Sequence, residues 1–418
     1  MRTLRLCLLL LLPSLCNAQG FLYDAFDARS LAMESAPFAV GMGAAGLLFN
    51  PASAASRQGM FMNVGGMLTM RQAEFSGTTT QSSIIPQPFS FATDNSVGAL
   101  PQIGFAYGPS QMPLGFGISV SSPFQFSTVW PKDWPGSGSA ESYDFHSVYT
   151  SFALGYRVNR MVTVGGALHV VTGGFTATLQ PMTIDNGGAF SPTGSAHAAG
   201  TGAAVSGSVI ISPVQQFSFA LGYMTGTNIP IKGSAQLNAS GSPARDFNSI
   251  ASLPTVLTAG FDIHPTNALR IDIGVAFTGF DGFAPFVLHF ADSTIPTQTI
   301  GPNLKNTTSL RLGVEYLLSR TLAIRGGVGY ASSSLQDDSA SQYFPDNGAL
   351  LYSAGIGYQF TKNIRFDLGY RGTAFASKNG SASGYNGQYS PSQNLLAASI
   401  ALAFEPTANP LAAPGLKK

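Results

Sequence analysis

The stretch Asn363–Arg371, NIRFDLGYR, alternates residue by residue. Ile364, Phe366, Leu368 and Tyr370 share one parity; Arg365, Asp367, Gly369 and Arg371 share the other. A period of two puts the two sets on opposite faces of a β-strand. The pattern recurs in LRIDIGVAF (269–277), SLRLGVEY (309–316), TSFALGYRV (150–158) and LYSAGIGYQF (351–360). Fourteen such segments start near residues 59, 98, 113, 146, 161, 200, 215, 253, 267, 304, 321, 349, 363 and 394. Most are about 10–15 residues long, enough to cross a bilayer on a tilt.

Amphipathic strands also build sandwiches, whose apolar faces meet in a core. Two observations favour a closed barrel. Charged residues make up only 10% of the chain, against roughly 25% in soluble domains, so something other than water must cover much of the surface. The connections also alternate in length. GPSQMP (108–113), VNRM (158–161), SPVQQ (212–216), HPTN (264–267), LSR (318–320) and TKN (361–363) are short, whereas 71–97, 130–145, 181–199, 236–252 and 378–393 are long and rich in Gly, Ser and Thr. Short turns at one end and long loops at the other are the outer-membrane arrangement, with the short turns in the periplasm. No later apolar run is long enough for a transmembrane helix, and hydrocarbon admits only helices and closed sheets. The expectation is an all-β, 14-stranded antiparallel transmembrane β-barrel, with Ile364 and Phe366 facing lipid and Arg365 and Asp367 facing inward.

Arg2 and Arg5 precede the apolar run Leu6–Leu12, and CNA at Cys16–Ala18 offers a small-residue cleavage site. Residues 1–18 therefore read as a secretory signal peptide. Both cysteines, Cys7 and Cys16, lie within it, so disulfides and cysteine metal sites are excluded from the mature chain. Cleavage removes two of the 21 basic residues and none of the 20 acidic ones. No charge imbalance remains to favour nucleic acid.

GMGAAG at Gly41–Gly46 matches a dinucleotide fingerprint in letters only. Pro51 blocks the helix that must follow, and the next acid is Glu74, so the run reads as tightly packed backbone. The five histidines (146, 169, 197, 264, 289) show no metal spacing. No nucleophile stands beside a base, so neither enzyme activity, cofactor nor metal is expected. Pro123 interrupts GFGISVSSPFQF, and a proline in a closed wall implies either a local break or the end of the strand and the start of a loop. Arg157, Arg270, Arg325 and Arg365, with Asp272, Glu315 and Asp367, fall inward near the short turns. The preceding segment Gln19–Gln58 carries Asp24, Asp27, Arg29 and Glu34. That segment is expected to fold up into the lumen and pair with the charged ring, because buried ions need partners.

Three stretches resemble the FadL/TodX family of outer-membrane transporters for long-chain fatty acids and other hydrophobic compounds. LLFNPASAA carries Asn50-Pro51-Ala52, like the family's NPA in its N-terminal hatch. LPTVLTAGFDIHPTNALRIDIGVAFTGFDGF (253–283) is similar to a strand pair that ends in an aromatic region. The third runs from Leu304 to Tyr370 and includes Pro345-Asp346. The resemblance implies a hatch at 19–58, a barrel at 59–405 and, beyond Phe404, a periplasmic tail at 406–418. It implies passive uptake of hydrophobic molecules, fatty acids or aromatic hydrocarbons, with gating at Asn50, Pro51 and Ala52. Lateral release is expected at a kinked third strand, here at Ser122, Pro123 and Phe124. Arg311 and Arg371, higher on the wall, are candidates to meet a substrate carboxylate. The implied partners are a hydrophobic small molecule, outer-membrane lipid and the barrel-assembly machinery, with the protein a monomer. A general porin and a docking barrel for secreted proteins remain alternatives; the apolar stretch SIIPQPFSF (83–91) suits a ligand or a partner.

Overall fold

The computed structural model describes residues 22–34, 43–79, 87–94, 96–134, 141–179, 194–236, 244–280, 286–295, 297–300, 304–335, 344–345, 347–380 and 385–404. The expected leader (1–18) and tail (406–418) lie outside them, as do Gly41, Asp346 and residues 83–86.

Fourteen antiparallel wall strands close into a barrel. They are β1 (Gly59–Thr79), β2 (Ser96–Gly108), β3 in two pieces (Leu114–Ser121 and Gln125–Val129), β4 (Ser142–Arg157), β5 (Val162–Leu179) and β6 (Gly194–Val214). β7 (Phe217–Met224 and Thr227–Gln236) and β8 (Arg245–Leu253 and Thr255–Ile263) are each divided. β9 (Leu269–Gly279), β10 (Thr307–Leu317), β11 (Leu322–Ala331), β12 (Ala349–Thr361), β13 (Ile364–Phe375) and β14 (Tyr385–Ala403) complete the ring. The seam between β1 and β14 is paired from Phe61↔Ala403 to Thr79↔Tyr385, so the sheet has no free edge there.

The alternation means what the sequence implied. On β13, Phe366, Leu368 and Tyr370 are exposed on the outer surface, whereas Arg365, Asp367 and Arg371 are buried inside. On β10, Leu310, Leu312, Val314 and Tyr316 point out; Arg311 and Glu315 point in.

The strands are taller than the apolar alternation suggests. β1 and β6 each run 21 residues, and the expected loops at 71–97, 181–199, 236–252 and 378–393 are partly strand. The reason lies in the solvent. Above the hydrocarbon, an outer face no longer needs apolar residues, so the wall continues in Gly, Ser and Thr without the signature. Within that upper wall the parity of the apolar residues switches. β4 buries Tyr143, Phe145 and Tyr149 inside and exposes Phe152, Leu154 and Tyr156 outside, with no register slip against β5.

Residues 22–34 and 43–58 lie within the ring. The short helix α1 (Ala28–Ala32) packs on β11–β14, and two 3-10 turns, Gly43–Gly46 and Pro51–Ala55, pack on β1–β6. Contact with wall strands all round is available only inside the lumen. Asp27 caps α1 by accepting from Ser30 N at 2.6 Å, while the Ser30 hydroxyl accepts from Asp27 N at 3.1 Å. Such a cap is worth about 1 kcal/mol, which matters for a helix of five residues.

Candidate functional site

The lumen is layered from the short-turn end upward. The lowest layer is a wall network of ion pairs. Arg325 reaches Glu315 at 2.6 Å and Asp367 at 2.8 Å; Arg365 meets Asp367 at 2.7 Å. Arg270 lies 3.1 Å from both Asp262 and Asp272, and His264 lies 2.9 Å from Asp262. Arg29 of α1 joins through Glu315 at 2.5 Å. Arg157 donates to the Ala55 carbonyl at 2.8 Å.

The acids of the N-terminal segment are used differently. Asp27 caps its own helix and accepts from Asn63 at 3.2 Å. Asp24 and Glu34 reach past the lower ring to Arg311 and Arg371, the two residues that the sequence marks for a substrate carboxylate. Arg311 meets Asp24 at 2.5 Å and Glu34 at 2.7 Å; Arg371 meets Asp24 at 3.2 Å and Glu34 at 2.8 Å. All four side chains are buried. Two carboxylates between two guanidiniums form a square that neutralises itself.

Asn50, Pro51 and Ala52 sit opposite, at the start of the second 3-10 turn. Asn50 accepts from Ser53 N at 3.0 Å, and Ala52 N donates to the Ser208 hydroxyl at 2.8 Å. The Asn50 side-chain amide is buried and makes no hydrogen bond among the described residues. Backbone approaches wall closely here: a Cβ at Gly165 would overlap Ala52 N, and one at Gly313 would overlap the Met33 carbonyl. Only glycine leaves room for that contact.

Above this segment the lumen forms an aromatic chamber that is filled by its own buried side chains. Leu22, Phe26, Leu48 and Phe49 form its floor, with Phe26 and Phe49 5.4 Å apart. Trp130 stacks on Trp134 at 4.5 Å, Phe175 on Phe286 at 4.8 Å, and Phe344 stands edge-on to Phe126 at 5.3 Å. Phe89 and Phe91, from SIIPQPFSF, pack against it. Sequence reading did not assign this lining. The parity switch on β4 was the available signal.

Ser122, Pro123 and Phe124 lie at an interruption of the wall. The β3–β4 register runs Ser121↔Tyr149 below and Gln125↔His146 above, so three residues of β3 oppose two of β4. That is a bulge, the form in which a strand tolerates proline. On the other side, β3 pairs with β2 only from Ile103↔Val120 to Tyr107↔Phe116. Among the described residues, no ladder joins Ser96–Gln102 to β3. The N-terminal segment enters this gap: Leu22 bridges Phe124, Tyr23 N donates to the Pro123 carbonyl at 2.6 Å, and Gln102 donates to the Ala25 carbonyl at 2.8 Å. Asp94 N closes the top by donating to Val129 at 2.8 Å.

A family model described as outer membrane protein transport protein (OMPP1/FadL/TodX) matches residues 9–404. A stretch of 65 residues is 35% identical to outer membrane protein P1 of Haemophilus influenzae; it spans 16% of this chain and 14% of that protein. Among solved structures, a Pseudomonas aeruginosa FadL homologue superposes with a TM-score of 0.80 at 13% identity, covering 93% of this chain and 100% of its own. The Ralstonia pickettii toluene transporter TbuX gives 0.70 at 15%, covering 91% and 99%. The Pseudomonas putida toluene transporter TodX gives 0.68 at 14%, covering 92% and 99%. At such identities the structures establish the fold.

Proposed function

The chain belongs to the OMPP1/FadL/TodX family of outer-membrane transport proteins, and from that premise we propose that it takes up hydrophobic small molecules by passive diffusion. The aromatic chamber above a closed floor carries this reading. An apolar solute gains little from a hydrated pore but gains by leaving water for a chamber of this kind. Relatives of the same fold carry the name toluene transporter, and an aromatic lining suits such cargo. The filled lumen weighs against a general porin, which needs a hydrated constriction.

In the mechanism we favour, residues 19–58 are a hatch within a barrel of residues 59–405. Cargo enters from the long-loop end and rests above Phe26 and Phe49. The hatch then shifts about its Asn50–Ala52 turn. Cargo leaves sideways between β2 and β3 at Ser122–Phe124 once Leu22 and Tyr23 withdraw. This route keeps the cargo away from water and delivers it to lipid. Arg311 and Arg371 reach a cargo carboxylate only in exchange for Asp24 or Glu34, so a fatty acid would act as a competitor of the hatch.

Uptake of a labelled alkylbenzene and of a sugar, measured in outer-membrane-intact cells with and without the protein, tests the reading. The alkylbenzene alone should be accelerated. Equal acceleration of the sugar, or of neither solute, would overturn it.

A further inference from the structure

The inner wall is chemically divided. Its charged residues cluster on β8–β13, where Arg270, Arg311, Arg325, Arg365 and Arg371 all have carboxylate partners. On the facing wall, above Arg157, an inward row across β3 to β6 is uncharged but polar. Ser119 lies opposite Ser151 in the β3–β4 ladder, and Ser151 lies opposite His169 in the β4–β5 ladder. His169 Nδ1 is 2.8 Å from the Ser151 hydroxyl, and Nε2 is 2.9 Å from the Ser206 hydroxyl on β6. One step higher, Ser121 stands opposite Tyr149.

This row runs just above the level where Leu47 and Ala54 of the N-terminal segment meet Ala153 and Ala167. It ends beside the interruption at Ser122–Phe124. The Tyr149 ring is 6.0 Å from Phe124 and 6.1 Å from His169, centroid to centroid. The hydroxyls of Ser119, Ser121 and Tyr149 are each more than nine-tenths buried. None makes a hydrogen bond among the described residues. Leaving a buried hydroxyl without a partner is costly, so three at one edge of the chamber mark a place built to be satisfied by something else.

We propose that this row docks the polar end of an uncharged, hydroxyl-bearing hydrophobic molecule, such as an alkylphenol, as it passes from chamber to wall opening. The inference rests on the uptake reading above and narrows its cargo. A hydroxyl can both donate to and accept from Ser119, Ser121 or Tyr149, while its hydrocarbon part lies against Phe124 and Phe145. An ionised carboxylate would be desolvated on a wall whose inward groups from Ser119 to Ser206 are hydroxyls, an imidazole and apolar side chains, a poor exchange for water.

The test compares binding of a para-alkylphenol, the alkylbenzene with the same chain and the matching alkanoate to the full-length protein in detergent. Wild type should bind the phenol about tenfold more tightly than the hydrocarbon, the effect of roughly one added hydrogen bond. The alkanoate should bind more weakly than the phenol. In the Ser119→Ala/Ser121→Ala protein and in Tyr149→Phe, the phenol-to-hydrocarbon ratio should fall toward one, with the heat-modifiable electrophoretic shift of a folded barrel retained. A wild-type ratio near one, or a ratio unchanged in both variants, overturns this inference and leaves hydrocarbon uptake standing. Binding of none of the three overturns both.

Discussion

Arg311 and Glu34, 277 residues apart in sequence, meet at 2.7 Å inside the barrel and tie the N-terminal segment to the wall. Each also belongs to a second pair, Arg311 with Asp24 and Glu34 with Arg371. The square acts as a unit, and removing one member strands a buried charge.

That cost is typically 3–5 kcal/mol, set here against the docking of one segment rather than against the whole wall. Glu34→Gln should therefore loosen residues 22–34 while the barrel stays folded. Hydrogen exchange across that segment should rise by roughly two to three orders of magnitude. A double-mutant cycle with Arg311→Ala should be strongly non-additive, since the second change removes the charge that the first left alone.

The bulge at Pro123 invites a change of register. Deleting Pro123 removes the extra residue, so that the ladders ending at Ser121↔Tyr149 and beginning at Gln125↔His146 fall into one register. A continuous β3 should result. We expect alkylbenzene uptake to drop toward the rate of cells without the protein, with the folded-barrel mobility shift retained. Pro123→Ala keeps the extra residue but allows it to pair, so it should slow uptake less than the deletion.

Gly313 gives a test of lumen filling. Valine there would overlap the Met33 carbonyl, and its β-branched side chain suits the strand itself. Gly313→Val should leave β10 intact and push the N-terminal segment away. In planar bilayers the variant should show a steady ion conductance well above wild type. Wild-type conductance would mean that the segment accommodates the change.

Phe145 and Leu368 separate the two apolar surfaces. Phe145 is buried within the chamber and Leu368 is exposed on the outer wall. Phe145→Ala should alter cargo preference toward bulkier alkylbenzenes by enlarging the chamber. Leu368→Ala should leave that preference unchanged. Leu368→Arg should destabilise the inserted barrel by about 2–4 kcal/mol if it sits near the bilayer midplane, measurable as a lower urea midpoint in vesicles.

The number and direction of the wall strands were legible because lipid imposes a strict rule on every second residue of β10 and β13. Strand length was not, because the rule lapses above the hydrocarbon. The same lapse hid the chamber. Tyr143 and Phe145 obey a period of two, but with the parity opposite to that of Phe152 and Leu154, and only a reader who tracks parity along one strand sees apolar residues change sides. Pro123 has no N–H to give, which suits a broken wall or a strand end equally; the resemblance to a family with a kinked third strand favoured the break. Nothing local announced that Leu22 and Tyr23 would fill the break. The inward position of Arg311 and Arg371 could be read from alternation. Their partners could not, because Asp24 and Glu34 are brought there by the path of a segment with no periodic signal of its own.

Glycines at 165 and 313 press the wall against one particular backbone, so the enclosure is a mould cast around its occupant. Grafting the leading segment of a distant relative into this protein would fail on shape before it failed on charge. Functional chimeras will require that stopper and socket be exchanged together.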